Sequence, residues 1–577
     1  MKIAIFDLTD CEGCELQFIT LKEKLLDFFQ DYEIVNWRLL QEEEKAKYFD
    51  IAIVTGTPVK PEEREFLRLI RSRSKYLVAL GYCATNGGIQ GWVRPADRKK
   101  LTDYVYKKGY KPRATEAQPL SFYVKVDKEI PGCPVLPDAL EDFIKEIPKL
   151  SKPTHPPKVK SPCRFLPDYI TKIEGHGTLK VSLKKAKAQL EVDEGERLIE
   201  GILLGRDFKE APWITSRICG ICPVAHNLTS LKALENALNI KPNEVIVSLR
   251  KVLLYSQIIH SHIFHLFFLS LPDFLGEESG IKLAKVCPAE FHLVLNLKRI
   301  SEKISEIIGG QVIHPTNTTF GGFNKLPQKH QLSYLLEEAK QVMDEAEDLV
   351  KLFSKIHYPK IFRESEYLAM EDYYEGKIIS NKAQSFWPNN YKKEIKEEII
   401  PHSTAKIGRR SETGLMVGAL ARLNLKITSL NPRAKKVLSQ AKIDFPNFNP
   451  FLNNLAQAIE VLHLLEETVK ELTHLTLLKD SLYQKAGEKP RFEIKAKEGV
   501  GALEAPRGTL YHFYQIDNSG KIKNADILTP TVQNLSNIEK DANVLLSQIK
   551  NYPKEKKIKL LKMLIRAYDP CITCSVH

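Results

Sequence analysis

Apolar residues come in short runs over the first 150 positions, at 2–8, 32–40, 50–55, 76–80 and 122–126, and the intervening segments 16–29 and 62–73 are amphipathic at helical spacing. This alternation predicts a parallel sheet with helices on both faces, an α/β module of flavodoxin-like type. Loops after the strands form the working edge of such a sheet. Cys11 and Cys14 follow the first predicted strand, Cys83 follows the run at 76–80, and Cys133 follows the one ending near 126. Four cysteines are therefore expected on one edge.

The texture changes at 148–163, where proline and lysine dominate and apolar periodicity disappears, as in a linker between modules. Sixteen residues span at most roughly 50 Å, so modules on either side can dock against each other. After a strand-like opening at 169–192, long helical stretches are predicted at 223–238, 245–271, 288–308, 329–356 and 451–483. The expected organisation is a first module over 1–147, a linker over 148–163 and a large, mainly α (α+β) module over 164–577.

Composition narrows the setting. The most apolar stretch, 258–271, is interrupted by His260, His262 and His265, which argues against a membrane span. The apolar run begins at residue 2, leaving no room for an export signal ahead of it, so a cytoplasmic protein is expected. Net charge is +13, and since acidic and basic residues balance over 1–150, the excess lies in the second module. Such a surface could attract an acidic electron-transfer partner or nucleic acid. No nucleic-acid-binding motif accompanies it, so it reads as a solvated basic face.

Ten cysteines in a chain of 577 residues make a sparse disulfide framework, and their spacing points to metal or redox chemistry. Two Cys-x-x-Cys pairs stand out: Arg217-Ile218-Cys219-Gly220-Ile221-Cys222 and Asp569-Pro570-Cys571-Ile572-Thr573-Cys574-Ser575-Val576-His577. Soft thiolates select transition metals over calcium or magnesium. A site using both pairs closes only after nearly the whole chain has folded. Taken alone, each pair suits zinc or dithiol redox chemistry equally well. The four N-terminal cysteines, flanked by glycines that let backbone amides approach sulfides, suit a 4Fe-4S cluster, with structural zinc or free thiols as alternatives.

Together with Glu174 in Lys172-Ile173-Glu174-Gly175-His176 and Arg507 in Ala505-Pro506-Arg507-Gly508, these motifs make the chain resemble a nickel-iron hydrogenase whose small and large subunits are joined in one polypeptide. The cytoplasmic, cofactor-coupled branch is the most similar. The resemblance implies that Cys219, Cys222, Cys571 and Cys574 hold nickel, with Cys222 and Cys574 bridging to an iron that carries carbon monoxide and cyanide installed by maturation proteins. It implies heterolytic cleavage of dihydrogen, with Glu174 relaying the proton and Arg507, Asp273 and Asp569 as charged groups over the metal. His226 matches a histidine beside the bridging sulfur. Glu200 and His577 match ligands of a structural magnesium or iron. Cys11, Cys14, Cys83 and Cys133 would hold one 4Fe-4S cluster.

Small subunits of this type with three clusters carry further cysteines, and here only Cys163 and Cys287 are left, so the internal electron path is expected to stop at one cluster. A redox partner protein or diaphorase-type subunits would take the electrons onward. No dinucleotide-binding fingerprint reveals the carrier. Two further readings share these motifs: a hydrogen sensor with little turnover, and a nickel-free relative of the quinone-reducing module of respiratory complexes. Four retained cysteines oppose the second.

Overall fold

The computed structural model describes residues 1–150 and 169–576, apart from 22, 43–45 and 47. Cys163, His577 and most of the expected linker lie outside the described residues. The first module is a five-stranded sheet of β1 (Lys2–Asp7), β2 (Glu33–Trp37), β3 (Phe49–Thr55), β4 (Ser74–Leu80) and β5 (Lys128–Ile130), in the order β2-β1-β3-β4-β5 with every pair parallel. Its outermost strand differs from expectation. Residues 122–126 are not a strand; Leu120–Phe122 is a 3-10 turn, and pairing starts only after Asp127, whose N–H donates to the Leu77 carbonyl. Val124 and Val126 pack on the outer apolar cluster instead, which explains the apolar run without a ladder.

Period-two alternation divides the sheet cleanly. Ala4, Phe6, Ala52, Val54, Leu77 and Ala79 face one apolar cluster, while Ile3, Ile5, Ile51, Ile53, Val78 and Leu80 face another that runs on into the second module. One core therefore serves both modules, and their relative placement is fixed by buried apolar surface at roughly 25 cal/mol per Å².

The second module opens with an antiparallel hairpin, Gly177–Ser182 with Lys187–Val192. Helices follow at Pro223–Leu238, Glu244–Phe264, Pro288–Ile304, Lys329–Gln341, Met343–Ser354 and Asn453–Leu477, close to the predicted stretches. Glu244–Phe264 continues through a π turn, His265–Ser270, into Leu271–Leu275. By length and composition this run could cross a membrane, but 94% of its apolar window is buried in the protein, as befits a core helix. The helical periodicity gave no sign of the antiparallel sheet Lys497–Ala505, Gly508–Ile516 and Ile522–Leu528. It lies on helix Pro223–Leu238 so closely that a Cβ at Gly501 would sit 2.3 Å from the Thr229 carbonyl oxygen. Only glycine permits that approach.

Candidate metal centre

Each Cys-x-x-Cys pair sits on a tight turn leading into a helix. Cys219 follows the 3-10 turn Ser216–Ile218, and Cys222 precedes Pro223, whose ring suits the first turn of its helix. The N–H groups of Ile221 and Cys222 both donate to Cys219 Sγ at 3.3 Å. At the other pair, Cys571 Sγ caps the short helix Ile572–Ser575 by accepting from the Cys574 N–H at 3.3 Å. The turns face each other: Cys219 Sγ lies 3.6 Å from Cys571 Sγ, Cys222 Sγ 3.3 Å from Cys574 Sγ, and Cys571 Sγ 2.8 Å from Cys574 Sγ. Thiolates about 2.3 Å from one metal stand about 3.3–3.8 Å apart, which the Cys219–Cys571 and Cys222–Cys574 separations match while Cys571–Cys574 is closer, and four buried sulfurs are the donor type a transition ion takes. Two ligand groups overlap here, Cys219–Cys571–Cys574 and Cys222–His226–Cys574, each with its atoms within 4.8 Å of one another, and they share Cys574.

Acid–base groups close over the sulfurs. Glu174 pairs with Cys571 as an isolated bridge, its carbonyl accepting from the Ile572 N–H at 2.9 Å, and Cys219 Sγ donates to Glu174 Oε2 at 3.7 Å. Arg507 occupies the two-residue tip, Pro506-Arg507, of the hairpin in which Ala505 pairs with Gly508. Its guanidinium ion-pairs with Glu174 and donates to Asp569 Oδ1 at 2.8 Å and the Asp569 carbonyl at 2.7 Å. Gln457 fixes the other Asp569 oxygen at 2.9 Å.

Burial pushes the Cys571 and Cys574 thiols well up; Cys219, despite burial, is held well below the usual thiol range by hydrogen bonds from Cys222, Cys571 and Cys574. A bound metal cation would favour the ionised thiolate at all four positions. Burial also lifts Glu174 well above the carboxylate range, with Arg507 pulling it down and Cys219 pushing it up.

The remaining predicted residues divide. His226 has a ring nitrogen within the Cys222–Cys574 group, and its Nδ1 lies 3.1 Å from His512 Nε2. Asp273 is drawn into an ion cluster with Lys172 Nζ at 2.6 Å and Arg566 at 2.8 Å, Lys172 being two residues before Glu174. Glu200 is buried, with Oε1 accepting from the Ile527 N–H at 2.9 Å and Lys406 3.7 Å from Oε2.

The four N-terminal cysteines follow β1, β4 and β5, and burial raises the thiols of Cys11, Cys14 and Cys83, with neighbouring cysteines of the same group adding to the rise. Their loop abuts the metal site directly. Gly220 N–H donates to the Cys11 carbonyl at 2.6 Å, and a Cβ at Gly220 would stand 2.4 Å from Gly13 Cα. Gly220→Ala is accordingly expected to cost about 1–3 kcal/mol through overpacking, read as a lower Tm of the whole chain because both modules share one core.

Motif spacing missed three contributors. His314 Nε2 lies 3.6 Å from Cys11 Sγ, and nothing in its sequence context marks it. Arg197 donates to the carbonyls of Ile218 at 2.7 Å and Thr573 at 2.6 Å, tying the two cysteine turns together. Glu12 accepts from the Gly175 N–H at 2.7 Å, beside Glu174. Burial lifts Asp10 to about 7 and Glu12 to about 8, so carboxyl groups near this seam hold protons close to neutrality.

Comparison with known proteins agrees with this assembly. Residues 197–287 and 364–577 match the family described as nickel-dependent hydrogenase, and residues 11–147 match the family described as NADH ubiquinone oxidoreductase, 20 Kd subunit. Sulfhydrogenase 1 subunit alpha of Pyrococcus furiosus is 34% identical over 422 residues, covering 71% of this chain and 97% of the relative. The NAD-reducing hydrogenase HoxS subunit beta of Cupriavidus necator is 30% identical, covering 71% and 94%. A crystal structure of an NAD+-reducing [NiFe]-hydrogenase in the H2-reduced state shares the fold, with a TM-score of 0.64 and 24% identity over 71% of this chain and 98% of that one. The chain belongs to the nickel-dependent hydrogenases, an oxidoreductase that joins a small-subunit-like module and a large-subunit module in one polypeptide.

Proposed function

We propose that this chain interconverts dihydrogen with protons and electrons, and passes the electrons through one 4Fe-4S cluster to a separate redox partner. The observation that carries the proposal is the convergence of four buried sulfurs from positions 352 apart under Glu174 and Arg507. Cys219, Cys222, Cys571 and Cys574 would hold nickel, with Cys222 and Cys574 shared with an iron bearing carbon monoxide and cyanide. When bound, that centre supplies the electrophile that polarises dihydrogen and accepts its electrons.

The chain's own residues supply the rest. Glu174 Oε2, in contact with Cys219 Sγ, stands where a proton leaves the sulfurs, and Asp569 steers the Arg507 cation over the same pocket. Cys11 and Cys14 would hold the cluster with Cys83 and Cys133, and the contact of Gly220 with Cys11 makes the electron path short. A redox partner docked on this edge of the sheet would take electrons from the cluster. Glu200 and His577 would hold the structural magnesium or iron. The modules would run over 1–147 and 164–577, and a cytoplasmic setting suits centres built on reduced thiols.

Protein produced with its maturation proteins should contain nickel, display infrared bands of metal-bound carbon monoxide and cyanide, and reduce a dye with dihydrogen. Zinc in place of nickel, or no such bands, rejects the proposal. Full nickel loading with turnover near zero would select the sensor reading instead.

A further inference from the structure

We propose that Arg38, in the N-terminal module, is a positioning residue for Glu174, so that the module carrying the cluster cysteines also sets the acid–base group of the metal centre. The inference rests on reading Glu174 as the proton relay. The segment bearing Glu174 does not hold its own shape. Lys172 and Gly175, on either side, have φ of 57° and 76°. A lysine in that left-handed region needs restraint from its surroundings.

Those restraints come largely from the first module. Arg38 follows β2, and its Nη1 donates to the Ile173 carbonyl at 2.8 Å, while its own carbonyl accepts from the Lys172 N–H at 2.9 Å. The other side of the same guanidinium donates to Asp7 Oδ2 at 2.5 Å and Glu12 Oε1 at 2.6 Å. Glu12 Oε1 in turn accepts from the Gly175 N–H at 2.7 Å. Residues 172, 173 and 175 are thus gripped from across the seam, and Glu174 is the position between them. From the second module, the Glu174 carbonyl accepts from Ile572 next to the metal-binding Cys571.

Arg38 suits the task because a planar fork can address a carbonyl and two carboxylates at fixed angles, which a lysine ammonium cannot. It is 6% exposed and lies apart from the sulfurs, so it acts through the segment and not on the reacting atoms. The Asp7 and Glu12 bonds stay within the first module and fix the guanidinium there. The bonds that cross the seam from Arg38 and its partner Glu12 land on 172, 173 and 175, the residues that frame Glu174.

The test is Arg38→Lys in the full chain produced with its maturation proteins. Expected are unchanged nickel content and infrared frequencies, faster amide exchange by mass spectrometry in the peptide spanning 170–177, and D2/H+ exchange per bound nickel slower on the order of 10–100-fold, with KM for dihydrogen unchanged. D2/H+ exchange per nickel equal to wild type overturns the inference. If Arg38→Lys binds no nickel, Asp7→Asn decides, since it loosens the anchor but leaves Arg38: slower exchange per nickel supports the role, and wild-type exchange overturns it. Wild-type protein without nickel would reject the underlying hydrogenase reading, a separate failure, and the 170–177 peptide would still decide whether Arg38 holds the segment.

Discussion

Replacing Cys574 with serine is expected to empty the metal centre. Cys574 is the one residue common to both overlapping ligand groups, 2.8 Å from Cys571 and 3.3 Å from Cys222, and it is buried. A serine hydroxyl is a hard, weakly acidic donor that does not replace a thiolate toward nickel. Loss of supporting contacts alone lowers metal affinity about 10–100-fold, so loss of a shared ligand should leave nickel below about a tenth of wild-type occupancy and abolish dye reduction. Fold should persist, because Ile572 and Val576 on either side remain packed in the core. The control is Cys287→Ser, at a partly exposed helix start outside the site, with nickel and activity unchanged. Wild-type nickel content in Cys574→Ser would reject the shared-ligand assignment.

What the sequence revealed follows from where information is local. Cys-x-x-Cys spacing is local, so each pair could be picked out without a structure, while their meeting at one metal was implied by the family resemblance. The sheet was legible because its strands, buried on both faces, are continuous apolar runs such as Ile51 to Val54. The edge strand was misplaced because it has only three residues, while the apolar run before it packs on the first module's own cluster without pairing. Arg507 was found by its motif, but the reason it reaches the sulfurs, a hairpin tip, was hidden because helical periodicity says nothing about residues 497–528. His314 acts through one long-range contact to Cys11, and Arg197 and Arg38 through several long-range hydrogen bonds each, to the cysteine turns and to Ile173, Asp7 and Glu12. No periodicity encodes such bonds. Asp273 rests on a looser match than the cysteine motifs, and its side chain pairs with Lys172 and Arg566.

Glu174→Gln should separate proton movement from metal binding. The amide is isosteric and can still accept from Arg507, so the hairpin tip, Asp569 and the four sulfurs keep their places, and nickel content and infrared bands should stay as in wild type. What the amide cannot do is carry a proton from Cys219 Sγ, 3.7 Å away. A positioned general base is worth typically 10²–10⁴-fold, and D2/H+ exchange and dye reduction should both fall by about that factor. The same substitution has a second, independent signature. Burial raises the folded-state pKa of Glu174 well above its unfolded value of 4.5, so the folded metal-free protein binds this proton more tightly than the unfolded chain does. Its contribution to stability is then fully present below pH 4.5 and is lost progressively as pH rises above it toward the folded pKa. Glutamine has no proton to lose, so metal-free Glu174→Gln should show a flatter decline of Tm above pH 4.5 than wild type does. Unchanged exchange rates would remove Glu174 from the proton path. An unchanged slope of Tm against pH would mean that Arg507 keeps the carboxylate ionised, and the proton leaving Cys219 would then be taken up by a group already charged at rest.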